Sequence, residues 1–229
     1  MAPEQRASCA GVTKTYAVHA GTASSSVTAL AEAQASFVAG ALTVIAGPSG
    51  SGKSTLLRLL ACLDRPDSGS VRIDGVEATA LSARSRRRLR RERIGYLFQH
   101  PAANLIDYLT AAEHRRLAAR LRRRGHNEGP RLLELFGLAD RAGHRPVQLS
   151  GGEQQRLGVA FAALGDPALL LCDEPTAQLD HAAGDLVVEA LRRLADAGGC
   201  VVVASHDPAL ITRADHVLRV EHGRTSEHR

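Results

Sequence analysis

The chain has no Trp, only 3% aromatic residues and, among its 29 basic residues, two lysines, Lys14 and Lys53. A core of this composition is filled by aliphatic side chains, and a basic surface interleaved with stacking aromatics is excluded. No stretch approaches the ~18 consecutive apolar residues of a membrane-spanning helix. The opening MAPEQRASCAGVTKTY lacks the apolar centre of a secretory signal. Cys9, Cys62, Cys172 and Cys200 occur without a C-x-x-C pair, so neither a zinc site nor a disulfide framework is indicated. Cys62 and Cys172 lie in apolar runs and read as small core hydrophobes. A reduced, cytosolic globular protein is expected.

What is present is ordinary in bulk: 229 residues, 44% hydrophobic and 23% charged, enough for one sizeable core with a small appended subdomain. The net charge of +5 comes with 27 arginines, concentrated in SARSRRRLRRER (82–93) and RRLAARLRRR (115–124). These clusters read as solvated helix faces and not as a specific nucleic-acid surface.

Short apolar runs bounded by glycine or loop residues predict buried strands at 41–46, 94–98, 168–172 and 200–205. A strand edge is expected at 71–75. Helices are predicted from Ser54 through Leu63 and over 182–197. Between about 100 and 150, Ala, Leu and Arg recur at helical spacing, which reads as a helical insertion. Strands alternating with helices imply α/β architecture with a mostly parallel sheet.

GPSGSGKST (47–55) fits G-x-x-x-x-G-K-[ST] between a predicted strand and a predicted helix, the context a phosphate loop requires. Gly47, Gly50 and Gly52, with Pro48, Ser49 and Ser51 between them, free backbone amides to wrap phosphate oxygens. Lys53 supplies a compact charge in a chain that otherwise uses arginine, Ser54 is a candidate Mg²⁺ ligand and Thr55 closes the motif. ALLLCDE ends a strand in Asp173, a second candidate metal ligand, and Glu174, a candidate general base. His206 and Gln99 lie just beyond other predicted strands, at the end where open parallel sheets bind ligands. LSGGEQQR (149–156) carries a capping box, Ser150 with Glu153, and Gly151 and Gly152 at what reads as a helix N-terminus. That is a second anion site without a lysine.

In this order, the phosphate loop, Gln99, LSGGEQQR, Asp173-Glu174 and His206 resemble the ATP-binding subunits of ABC transporters from about Gly11 to Val220. The resemblance implies a phosphate-loop NTPase core with an inserted α-helical subdomain at about 100–155 and a small antiparallel β piece, forming one ABC ATPase domain over 1–229. It implies ATP and Mg²⁺ as ligands and a head-to-tail dimer of cassettes, in which Ser150, Gly151 and Gly152 bind the γ-phosphate held by the other subunit. By the same carry-over Gln99 contacts Mg²⁺ or attacking water, His206 contacts the γ-phosphate, Asp180 crosses the dimer interface and Tyr16 stacks on adenine. The expected partners are a second ATPase subunit and an integral membrane permease, with the chain peripheral on the cytoplasmic face of the membrane. CLDRPDSGSVRIDG, RIGYLFQ and NLIDYLTAAEH are similar to the macrolide-export and lipoprotein-release branch. Phe161, Ala177-Gln178 and Ala41 depart from that branch without touching the hydrolytic groups. Two alternatives stay open: an ABC ATPase gating a non-transport membrane complex, and a soluble one acting on nucleic acid.

Overall fold

The computed structural model describes residues 4–20, 23–100, 103–122 and 129–228. Two sheets share one core. β1 (Gln5–Ala20), β2 (Ala23–Val38), β4 (Ser68–Ile73) and β5 (Val76–Glu77) form an antiparallel sheet in the order β2-β1-β4-β5. β3 (Ala41–Ala46), β6 (Ile94–Leu97), β7 (Leu169–Asp173), β8 (Cys200–Ala204), β9 (His216–Glu221) and β10 (Arg224–His228) form a second sheet in the order β10-β9-β3-β8-β7-β6. Its pairings are parallel from β9 through β6, and β10 closes the edge antiparallel.

Alternation along the buried strands sorts side chains to two faces. Leu171 and Val202 join Phe37, Ile73 and α1 (Lys53–Leu60) between the sheets. Leu170, Val201 and Val203 face the opposite layer of α5 (Gly151–Ala163), α6 (His181–Asp196) and α7 (Pro208–Arg213). The four cysteines are free and buried, as the apolar setting of two of them suggested.

The parallel core follows the expected strands closely, and two differences are informative. The antiparallel sheet is larger than a small piece, because β1 and β2 run 16 residues each. Helix α1 stops at Leu60 and does not carry Leu63, because Cys62 takes a left-handed backbone (φ 55) and Leu63 turns toward solvent. Between Gln99 and Ser150 the regular elements of the described chain are helical: α3 (Ala111–Arg122), α4 (Gly129–Leu135) and 3₁₀ turns at Ala139–Arg141 and Pro146–Gln148. Most arginines of α2 (Ala83–Arg93) are exposed, but Arg90 donates to the Cys62 carbonyl at 2.7 Å and Arg93 pairs with Asp74 at 3.1 Å.

Helix α5 lies directly on β6. A Cβ on Gly95 would collide with the Ala162 carbonyl, and one on Gly158 would stand 2.9 Å from Leu97 Cδ1. The helix thus runs with its head, Ser150, toward the carboxyl end of β6.

Candidate active site

The phosphate loop follows β3, whose six residues are all buried. Its helix, α1, begins on Gly52 in a left-handed conformation (φ 114) with no side-chain cap, leaving the amides of its first turn without a side-chain partner. Lys53 is 92% buried by its 8% relative exposure, and its ammonium donates to the carbonyls of Gly47 and Pro48 at 2.9 Å each. The loop is therefore closed around its own lysine, with the charge at the centre of the ring. The Ser51 hydroxyl is buried without a hydrogen-bond partner among the described residues.

A cavity of about 550 Å³ opens on this loop, lined by the loop backbone from Gly47 to Gly50, Gly52 to Thr55, Ala29, Gln99, Glu174, Ala177 and His206. Apart from Ala29 on β2, these residues come from four separate stretches of sequence that meet at the carboxyl ends of parallel strands. The Ser54 hydroxyl donates to Asp173 Oδ1 at 3.0 Å. Burial, reinforced by the adjacent Glu174 charge, raises the Asp173 carboxyl above its ordinary range, against the pull of Ser54 and Lys53. A cation beside Asp173 would offset that burial. Among the described residues no cluster of three His, Cys, Asp or Glu could hold a metal. A hydroxyl and one carboxylate beside a phosphate cavity nevertheless fit Mg²⁺, which takes few protein ligands and completes its shell with water and phosphate oxygens.

Glu174 has a left-handed backbone (φ 48), its amide donating to the Ala204 carbonyl at 2.9 Å. Its carboxylate accepts from Ser205 Oγ at 3.3 Å and from His206 Nδ1 at 3.1 Å. With Nδ1 facing Glu174, Nε2 of the largely exposed His206 ring is left for another partner. Three residues of this arrangement went unread in the sequence. Ser205, wholly buried, also accepts from the Asp207 amide at 3.1 Å, and Thr176 donates to Asp207 Oδ2 at 2.7 Å, tying the segment after Glu174 to the one after His206. Asn104 holds the end of β6 just before Gln99, accepting from the Phe98 amide at 2.8 Å and donating to the Tyr96 carbonyl at 2.7 Å. A polar side chain beside a strand-end ligand is the only sequence signal for any of them.

The structure brings together the phosphate loop, Asp173, Glu174, His206 and Gln99, and leaves the others outside that cavity. None of its lining residues comes from 149–156. Ser150 does cap α5 as predicted: its Oγ accepts from the Glu153 amide at 3.2 Å, and Glu153 Oε2 accepts from the Ser150 amide at 2.8 Å. The Ser150 amide, and after it the Arg141 guanidinium at 2.8 Å, pull the Glu153 carboxyl down to about 2. Gly151 has open space where a Cβ would stand, and Ser150 and Gly151 are exposed. Asp180, also exposed, caps α6 by accepting from the Ala183 amide at 2.8 Å. Tyr16 is not among the lining residues either; its hydroxyl donates to Asp64 Oδ2 at 2.8 Å, with the Lys14 ammonium 5.3 Å from its ring centroid and Thr55 alongside. A second cavity of about 360 Å³ lies at the opposite, amino-terminal ends of β7 and β8, lined by Arg6, Arg93 and Cys200, and contains none of the motif residues.

Residues 30–177 match the ABC transporter family. The chain belongs to that family. A macrolide export ATP-binding/permease protein, MacB 1/2 of Paracoccus denitrificans, is 45% identical over 192 residues, covering 81% of this chain and 28% of that protein. An ABC transporter ATP-binding protein of Thermotoga maritima is 43% identical over 192 residues, covering 81% of this chain and 80% of that one. The chain spans less than a third of the length of the first relative and most of the second. In structure this ABC ATPase cassette is similar to the dimeric bacterial cassette MJ0796, with a TM-score of 0.86 and 33% identity over 97% of this chain and 99% of that one. A post-hydrolysis dimer of MJ0796 bound to ADP and Pi matches it equally well, with a TM-score of 0.86. The phosphate-loop core, the parallel sheet and the antiparallel β sheet are thus those of an ABC ATPase cassette.

Proposed function

We propose that the chain, one ABC ATPase domain with its helical subdomain inserted at about 100–155, binds ATP between two copies of itself and hydrolyses it to drive a separate membrane permease of the export branch. The observation that carries this reading is the separation of two phosphate-binding elements within one chain. The loop at 47–55 lines a cavity with Gln99, Glu174 and His206, while the glycines of 149–156 line none of it. A head-to-tail pair of copies gives the second element a ligand: the γ-phosphate held by the first.

In this mechanism the amides from Gly50 to Thr55 and the Lys53 ammonium hold the β- and γ-phosphates. Lys53 exchanges its two carbonyl partners for phosphate oxygens. Ser54 and Asp173, with Gln99 at the cavity edge, would hold Mg²⁺, which when bound neutralises phosphate charge. Glu174 accepts a proton from the attacking water. Ser205 and His206 fix that carboxylate, and Nε2 of His206 reaches the γ-phosphate. Tyr16 packs on adenine, and Asp180 stands at the seam between copies. The MacB relatives, named as ATP-binding/permease proteins, carry a permease as well. By that likeness the present cassette sits on the cytoplasmic face of a membrane against such a partner.

Co-expression with a permease encoded beside the gene tests the reading. A co-purifying complex with an altered ATPase rate is expected. Stable association with DNA or ribosomes at physiological salt, with no membrane protein bound, would overturn it.

A further inference from the structure

The turn between β9 and β10, which no motif marks, rests against the outer wall of the phosphate loop. The Gly223 amide donates to the Ser51 carbonyl at 3.1 Å, and the Gly223 carbonyl accepts from the Ala31 amide at 2.8 Å. The approach is backbone to backbone. A Cβ on Gly47 would collide with the Val220 carbonyl, and one on Gly223 would stand 3.0 Å from the Ala29 carbonyl and 3.1 Å from Leu30 Cα. Gly223 is buried, with a left-handed backbone (φ 77) that glycine adopts without penalty.

A trans peptide is planar, so its C=O and N–H point in opposite directions. Holding the Ser51 carbonyl outward, toward Gly223, therefore turns the Gly52 N–H inward. Gly52 lines the cavity beside Ala29, and a Cβ on Gly52 would collide with the Ala29 carbonyl, so the loop is closely packed here. The loop's own contact at this point is the Ser51 amide donating to the Pro48 carbonyl at 3.3 Å, and Lys53 binds carbonyls 47 and 48, not 51. The outward carbonyl is thus held from the far end of the chain.

We propose that Gly223 is a positioning residue for nucleotide binding: its amide fixes the Ser51–Gly52 peptide so that the Gly52 N–H faces the phosphates. This rests on the ATP reading of the cavity. Gly223 touches no ligand and acts through Ser51. Because the same residue holds Ala31, the orientation of the loop is also tied to β2 in the antiparallel sheet.

The decisive variant replaces the Gly223 amide by a backbone ester, introduced by ligating a synthetic C-terminal peptide, which deletes the donor and keeps shape and carbonyl. Affinities for ATP and for tripolyphosphate, measured by competition with a fluorescent nucleotide, are expected to fall together, by about three- to tenfold. The melting temperature of the nucleotide-free chain should fall by only about 2–4 °C, the shift of one lost hydrogen bond, so the chain stays folded where affinity is measured. Gly223→Ala, which keeps the donor but displaces it, should weaken both ligands further. His222→Gly, in the same turn with the donor kept in place, should weaken neither. Unchanged tripolyphosphate affinity in the ester variant would overturn the proposal, as would an equal loss of affinity in His222→Gly. A parent chain that binds neither ATP nor tripolyphosphate would overturn the reading of the cavity, and this proposal with it.

Discussion

The phosphate loop at 47–55 and the LSGGEQQR segment at 149–156 are both glycine-rich stretches that open a helix, and the chain treats them in opposite ways. Helix α1 starts without a side-chain cap, its lysine buried in a ring of its own carbonyls and its outer wall braced by β2 and the β9–β10 turn. Helix α5 starts with a full capping box, its serine exposed and open space beside Gly151. An uncapped N-terminus surrounded by chain is a finished anion site, waiting only for its ligand. A capped N-terminus on the surface is already stable and presents its remaining amides outward. One stretch builds a pocket; the other builds an exposed surface.

The largest expected effect breaks the first member of this pair. Lys53→Ala removes the central cation, and ATP binding, read by equilibrium dialysis, should be lost. Next, Glu174→Gln should slow hydrolysis by roughly 10²–10⁴-fold while binding persists. Removing the carboxylate's charge beside the γ-phosphate should also let ATP hold two copies together, seen as a dimer by size-exclusion chromatography at high protein concentration. Adding Ser150→Arg to that variant should return it to monomer with ATP still bound, because bulk then fills the space beside Gly151. A Glu174→Gln chain that binds ATP yet stays monomeric, even with its permease, would mean the LSGGEQQR segment serves another ligand.

A smaller effect is expected from Asn104→Ala. It deletes two hydrogen bonds at the end of β6, so turnover should fall by about three- to tenfold through misplacement of Gln99, with ATP affinity unchanged. The smallest sharpens the second member. The Glu153 carboxyl is lowered in the fold, so its contribution to stability is complete above the unfolded value and is lost as pH falls through about 2. Urea unfolding of the parent and Glu153→Gln should therefore differ near neutrality and converge between about pH 4.5 and 2. Ser150→Ala should cost about 1 kcal/mol at neutral pH.

The parallel core and the motif residues gathered at its edge were legible because they depend on local pattern. ALTVIA, LLLCD and CVVVA are apolar runs with defined ends, and the phosphate loop and capping box are fixed spacings. The long β1–β2 hairpin was not legible. ASSSVTALAEAQASFV is rich in Ala and Ser, which have little strand preference, and its burial comes from the sheet it joins. Ser205, Thr176 and Asn104 escaped for a related reason. Each acts on a group distant in sequence or across a turn, and a lone polar residue carries no periodicity. Tyr16 was legible as a position, but its hydrogen bond to Asp64 was not, since the two meet only when β1 packs beside the end of α1.

The seating of α5 on β6 has a mechanical consequence. At Gly95 the strand meets the Ala162 carbonyl of the helix backbone, and at Gly158 the helix backbone rests on the Leu97 side chain, so little lies between helix and strand to be compressed or repacked. Ser150 leads the helix, and Gln99 leaves the end of the strand. The two are therefore carried like the jaws of a locked caliper, their spacing set by the close seating of helix on strand. A force applied at either tip reaches the other without being absorbed on the way, and the gap changes only if helix or strand itself bends.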